Sequence, residues 1–143
     1  MTLPYTIEAT TEPVDSDRQA IVDGLIAYNE SKFSTLGLAD FVLRLRDSKG
    51  EMIGGLAAHL FYDWLHVEVL FVPEALRGKG VGTELMRRAE EFAVARGAIG
   101  VSLDTFEFQA PEFYTSRGYT VYGVIEDHPR GSRRYYLKKH LQS

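Results

Sequence analysis

Within Leu70 to Gly97 lie residues whose types and spacing suit the binding of a phosphate. An apolar run, Leu70-Phe71-Val72, is stopped by Pro73, and Arg77-Gly78-Lys79-Gly80-Val81-Gly82-Thr83 follows. After it, Val81, Leu85, Ala89, Phe92 and Ala93 recur at helical spacing, with Glu84, Arg87, Arg88, Glu90, Glu91 and Arg96 on the other face. Gly97 stands where a left-handed cap ends such a helix. A strand therefore runs into a glycine-rich turn, and the turn opens a helix. The first N–H groups of a helix lack internal partners and carry partial positive charge. Glycines before them let phosphate oxygens approach the backbone. Arg77 and Lys79 add charge, and each charge-assisted hydrogen bond contributes about 1.5–3 kcal/mol. The competing reading of the glycines alone is a tight connection that binds nothing.

Three ligand patterns can be laid on this turn. The nucleotide P-loop requires Gly-Lys followed by Ser or Thr, and Lys79 is followed by Gly80. The dinucleotide fingerprint is met at Gly78 and Gly80 but has Thr83 at its third position. Asp104, at about the spacing of a ribose-binding acid, keeps that pattern open, although Pro73 to Arg77 makes its loop long. The third pattern, Arg-x-x-Gly-x-Gly, fits at Arg77, Gly80 and Gly82.

With Val72-Pro73-Glu74 before it and a helix after it, this turn closely resembles the acetyl-CoA loop of the GNAT family of N-acetyltransferases. The similarity continues through Gln109-Ala110-Pro111-Glu112-Phe113-Tyr114-Thr115-Ser116-Arg117-Gly118-Tyr119, where the family commonly has Asn-x-x-Ala-x-x-Phe-Tyr-x-x-x-Gly-Phe. Gln109 beside Ala110, and Tyr119 for the phenylalanine, are the departures. The similarity spans roughly residues 50–140.

The resemblance implies acetyl-CoA as cosubstrate, held by Leu70, Phe71, Val72, Arg77, Gly78, Lys79, Gly80, Val81, Gly82, Thr83, Gln109, Phe113 and Tyr114. It implies Tyr114 as the acid that reprotonates or positions the leaving thiolate. A phenol near pKa 10 suits a thiolate near 8.5; the bland alternative is a core aromatic. Glu68 is the expected base, because several family members carry a glutamate in this strand that acts through water. Alternation puts His66, Glu68, Leu70 and Val72 on one strand face, so His66 is the second candidate. A solvent-facing or salt-bridged Glu68 competes equally. The resemblance also implies an oxyanion donor from the N–H of Leu70 or Val72. Transfer is expected directly in a ternary complex, since no covalent nucleophile is evident.

The acceptor region of the family varies most. Tyr28, Phe33, Trp64, Asp104 and Phe106 are the substrate candidates here, with Glu30, Phe61, Tyr62, Phe108, Glu107 and Glu112 as further aromatic or acidic neighbours. The leading expectation is acetylation of a primary amine on a small molecule. An acetyltransferase of protein lysines or N-termini is the alternative within the class, and a CoA-binding sensor without turnover the alternative outside it.

These residues need a scaffold. The chain has 143 residues, is 45% hydrophobic and bears a net charge of -4, which suits one domain, residues 1–143, and argues against a general nucleic-acid binder. There is no cysteine, so disulfides and thiolate metal sites are excluded. His59, His66, His128 and His140 lack ligand spacing, so no metal is expected. No apolar run reaches membrane length and no signal-like start occurs, which makes a cytoplasmic protein the default; a homodimer is common among similar proteins. The basic tail Arg130, Arg133, Arg134, Lys138, Lys139 and His140 reads as a solvated strand edge.

Alternation at Tyr5–Ala9 predicts a first strand, and Pro13 and Asp15 open a helix over about 16–31. Residues 33–37 suggest a short helical turn. Strands follow at 41–46, 51–62 and 64–72 as a meander, with Gly54-Gly55 marking a bulge or a close backbone approach. The main helix crosses to a parallel strand at 99–105. A short helix at 111–117 and strands at 119–126 and 133–139 complete the chain. The expected class is α/β (α+β): a mixed, mostly antiparallel sheet of about seven strands with helices on both faces.

Overall fold

The computed structural model describes residues 4–33 and 38–141. They fall into two compact units, residues 1–35 and 36–143. The first unit contains α1 (Asp15–Glu30). Its start is fixed locally: the Asp17 carboxylate accepts a hydrogen bond from Val14 N–H at 2.9 Å, and Asp15 adds a second acid to the positive end. Residues 5–9 form no strand, which corrects the sequence expectation. Alternation describes which sides of a segment differ; a strand also needs a ladder partner. The helical turn expected at 33–37 lies largely outside the described residues.

The second unit is a six-stranded sheet in the order β1-β2-β3-β4-β6-β5. Its strands are β1 (Ala39–Arg46), β2 (Met52–Phe61), β3 (Trp64–Phe71), β4 (Gly100–Phe106), β5 (Thr120–Glu126) and β6 (Arg133–His140). All neighbours are antiparallel except β3 and β4. The sheet is mixed as expected, with one strand fewer than expected.

The main helix, α2 (Val81–Ala95), crosses between the two parallel strands. Its apolar stripe buries Leu85, Met86, Ala89 and Ala93 against one sheet face, beside Leu56, Ala58, Leu60, Leu65, Val67, Val101, Leu103 and Leu137. Phe92 stacks on Phe41 of β1, ring centres 4.0 Å apart. Gly97, at φ 79°, ends α2 in the left-handed conformation that the sequence requires, and Ala98 N–H closes the turn on Ala93 carbonyl. α3 (Glu112–Thr115) packs on the same core through Tyr114. A partly buried triad ties α2 to the sheet: Glu90 accepts from the Tyr119 hydroxyl and from the Lys139 ammonium, each at 2.9 Å.

At Gly54 and Gly55 the structure has the close backbone approach anticipated. A Cβ on Gly54 would lie 2.5 Å from Phe71 carbonyl oxygen, and one on Gly55 would lie 2.0 Å from Leu43 carbonyl oxygen. The basic tail is not a strand edge, which corrects the sequence expectation: β6 lies between β4 and β5, and several of its cations are paired. Arg133 binds Glu126, Arg134 binds Asp104, and Lys139 binds Glu90.

Candidate active site

Two parallel strands that start together and then part make the site. β3 and β4 are in register from Trp64–Gly100 to Val67–Leu103, and pairing stops there. Past that point β3 continues through Glu68 to Phe71 and β4 through Asp104 to Phe106. Their facing backbone groups have no ladder partner in each other, so the gap is a place where a polar ligand can bond to main chain. A cleft of about 990 Å³ opens there, lined by Glu68–Val72 on one side and Asp104–Phe106 on the other. It continues to the start of α2 at Gly78 and Gly80–Thr83, and to Gln109, Phe113, Tyr114 and Arg117 around α3.

The start of α2 is built to leave its amides free. Gly80 is the N-cap, at φ 83°, and no side chain caps the helix. The first hydrogen bond into the helix is Glu84 N–H to Gly80 carbonyl, so the N–H groups of Val81, Gly82 and Thr83 have no helical acceptor. Gly78 and Gly80 have positive φ and open space where a Cβ would stand. At Gly82 a Cβ would lie 3.1 Å from the Phe113 ring, so this glycine serves packing against α3. Arg77 turns back on the strand, its Nε donating to Val72 carbonyl at 2.8 Å. These features suit a pyrophosphate: unpartnered amides, a helix end, and backbone without side chains in the way.

Every expected cosubstrate residue lines this cleft except Lys79. Leu76, Phe108, Ala110 and Arg117 join them. Arg117 was not anticipated for the site. Its guanidinium donates to Phe113 carbonyl at 2.5 Å and to Thr83 Oγ1, and stacks over the Phe113 ring at 3.8 Å. It therefore bolts α3 to the first turn of α2. Its place before Gly118 at the end of a short helix was the available signal, but only the fold reveals the facing Thr83. Gln109 Oε1 accepts from Phe106 N–H at 2.9 Å and from Thr105 hydroxyl at 3.3 Å. That side chain closes the end of β4.

Tyr114 is buried between Phe113 and Tyr119, edge-on to both. Burial pushes its phenol up to about 12. The nearby Arg117 charge opposes the shift and Asp104 adds to it. The hydroxyl therefore keeps its proton throughout the neutral range.

The sequence expectation that His66, Glu68, Leu70 and Val72 share a face is corrected by a β-bulge. Val67 pairs with Ala58 and Val69 with Ala57, which leaves Glu68 with no partner residue on β2. Beyond it the alternation is shifted by one. Leu70 pairs with buried Leu56, as Val67 pairs with buried Ala58, so Leu70 turns to the core face. His66 pairs with His59 on the opposite face. Glu68 lines the cleft and His66 does not. His66 Nδ1 lies 3.0 Å from Ser102 hydroxyl, and its pKa is lowered mainly by burial and next by the neighbouring His59.

Of the acceptor candidates, Asp104 and Phe106 line the cleft. Asp104 Oδ1 is held by Arg134 at 2.5 and 2.9 Å, so its charge is already matched. Trp64 lies at the closed end of β3, its ring over Gly100 and edge-on to His140. The structure does not bring it to the cleft. Tyr28 stands on α1, with the Lys32 ammonium 5.9 Å from its ring centre, and Phe33 follows that helix in the first unit. Among the described residues no cluster of side chains is arranged to hold a metal ion, and no helix is long and apolar enough to cross a membrane.

The model of the acetyltransferase (GNAT) family matches residues 7–119. The chain belongs to the GNAT family. It is 36% identical to an acetyltransferase of Agrobacterium fabrum over 121 residues, covering 85% of this chain and 88% of that one. It is 43% identical to the blasticidin-S acetyltransferase of Streptomyces morookaense over 94 residues, 65% of this chain and 69% of that one. A crystal structure described as an acetyltransferase candidate from Agrobacterium tumefaciens superposes with a TM-score of 0.89 at 32% identity, covering 96% of this chain and all of that one. The chain is thus an N-acetyltransferase of the GNAT fold.

Proposed function

We propose that this acetyltransferase takes its acetyl group from acetyl-CoA and passes it directly to a primary amine on a small molecule. The observation that carries the reading is the continuity of one cleft from the uncapped start of α2 to the parted ends of β3 and β4. A pyrophosphate at the Gly80–Thr83 amides and a thioester between the strands fit along that one path.

In this reading the chain supplies four things. The α2 amides and Arg77 hold the diphosphate, and holding both reactants in register contributes roughly 7–11 kcal/mol. A main-chain N–H beyond the bulge, at Leu70 in β3 or at Val72 just after it, receives the developing oxyanion. Glu68 accepts a proton from the incoming amine, and Tyr114 returns one to the departing sulfur. One such acid or base contributes about 10²–10⁴-fold, so positioning is the larger effect.

A small, cationic acceptor is favoured by two features. Glu68 is the cleft carboxylate left unmatched by an arginine, and Phe106 and Phe108 stack in parallel at its rim, centres 5.3 Å apart. The blasticidin-S acetyltransferase relative supports the same class. The test is thiol release from acetyl-CoA with a panel of amines: blasticidin S, spermidine, lysine and a lysine-containing peptide. Saturable release with one of the first three is expected. Release with the peptide alone would assign a protein acceptor, and CoA binding without release on any amine would make the chain a sensor.

A further inference from the structure

Glu68 is the residue that the β3 bulge displaces, and it is also the acidic side chain of β3 that reaches the cleft. A glutamate on a bulge has three rotatable bonds and no ladder to hold its backbone in step. Its carboxylate is nevertheless fixed. Oε1 lies 2.5 Å from Nδ1 of His59, on the adjacent strand β2. His59 itself does not line the cleft. Oε2 makes no hydrogen bond among the described residues. One carboxylate oxygen is thus tied to the scaffold and the other is left for a ligand.

The surroundings suit this arrangement. His59 stands in register with Asp40 on β1 and with His66 on β3, and His66 with Ser102 on β4. The His59 and His66 rings are 5.4 Å apart. His66 spends its Nδ1 on Ser102, and Asp104 is bound by Arg134. Neither competes for Glu68. His59 is the side chain within bonding distance of that carboxylate.

We infer that His59 is the positioning residue of the transfer: from β2 it donates its Nδ1–H to Glu68 Oε1 and so presents Oε2 to the acceptor amine. This inference rests on Glu68 being the base. In the step it serves, an N–H bond of the substrate ammonium breaks and an O–H bond forms on Oε2. The freed electron pair makes the N–C bond to the acetyl carbon, and the C–S bond of acetyl-CoA breaks. The second amine proton leaves to solvent, sulfur takes the Tyr114 proton, and water restores both groups. His59 keeps its proton throughout.

The test compares His59→Ala, His59→Asn and Glu68→Gln, using the best acceptor of the amine panel. Asparagine places an N–H donor at about the position of Nδ1. His59→Ala is expected to lower kcat about tenfold with the KM for acetyl-CoA unchanged, and His59→Asn to recover most of the loss. Nitrogen-15 NMR of the wild-type imidazole is expected to show the proton on Nδ1; this readout needs no turnover. Full kcat in His59→Ala beside a large loss in Glu68→Gln would overturn the role of His59 and leave Glu68 as base. An asparagine variant as slow as the alanine variant, or an imidazole with its proton on Nε2, would also overturn it. Full activity in Glu68→Gln would remove the base, and the inference with it.

Discussion

The two ends of the β3–β4 pair make the clearest contrast in the molecule. From Trp64 to Val67 the strands are laddered, and Leu65, Val67, Val101 and Leu103 are buried core. From Glu68 onward the same strands part, and their facing residues line the cleft. Nothing in the residue types separates the halves sharply; Val69, Leu70 and Phe71 are as apolar as Leu65 and Val67. What differs is pairing. The closed half converts apolar side chains into stability, and the open half leaves main chain available to a ligand.

That contrast predicts a double dissociation. Leu65→Ala in the closed half should have the largest effect, destabilising the fold by about 2–5 kcal/mol, because a fully buried leucine leaves a cavity. Chemical denaturation measures it, and a loss below about 1 kcal/mol would show that the closed half is not core. Glu68→Gln in the open half should leave that stability unchanged and lower kcat by about a hundredfold. A matching loss of stability would erase the distinction between the halves.

Gly80→Asp should weaken CoA binding by roughly tenfold or more, by placing a carboxylate among phosphate oxygens, and Gly80→Ala should weaken it less. Both impose a similar backbone cost at φ 83°, of about 1–2 kcal/mol, so the difference in Kd isolates charge from strain. Equal affinities in the two variants would remove the phosphate from this turn. Tyr114→Phe is the smallest of the set, with kcat down about tenfold and CoA affinity retained. Because burial raises the Tyr114 phenol to about 12, its ionisation should not depress kcat up to pH 10, where a free phenol is half ionised. An activity loss at pH 9–10 that vanishes in Tyr114→Phe would contradict that assignment.

What was legible in the sequence follows the same division. Glycine spacing and a clean helical period marked the turn at 77–82 and the whole of α2, since both are local. The meander and the close approach at Gly54 and Gly55 were legible for the same reason. The bulge was not. A strand of mixed apolar residues reads equally well in either phase, and the slip at Glu68 appears only when Ala57 and Ala58 are seen opposite Val69 and Val67. His59 and Arg117 were missed because each acts across strands or helices, on Glu68 and on Thr83. Tyr5–Ala9 failed in the opposite way, having a strand pattern without a ladder.

In the proposed function, the bare start of α2 and the parted strands together aim a thioester at an amine. A crystal structure with acetyl-CoA bound tests it most directly. Pyrophosphate oxygens are expected about 3 Å from the N–H groups of residues 80–83, with the acetyl carbonyl between β3 and β4 beside Glu68 and Tyr114. A diphosphate held elsewhere, or an acetyl group outside the opened strands, would contradict it.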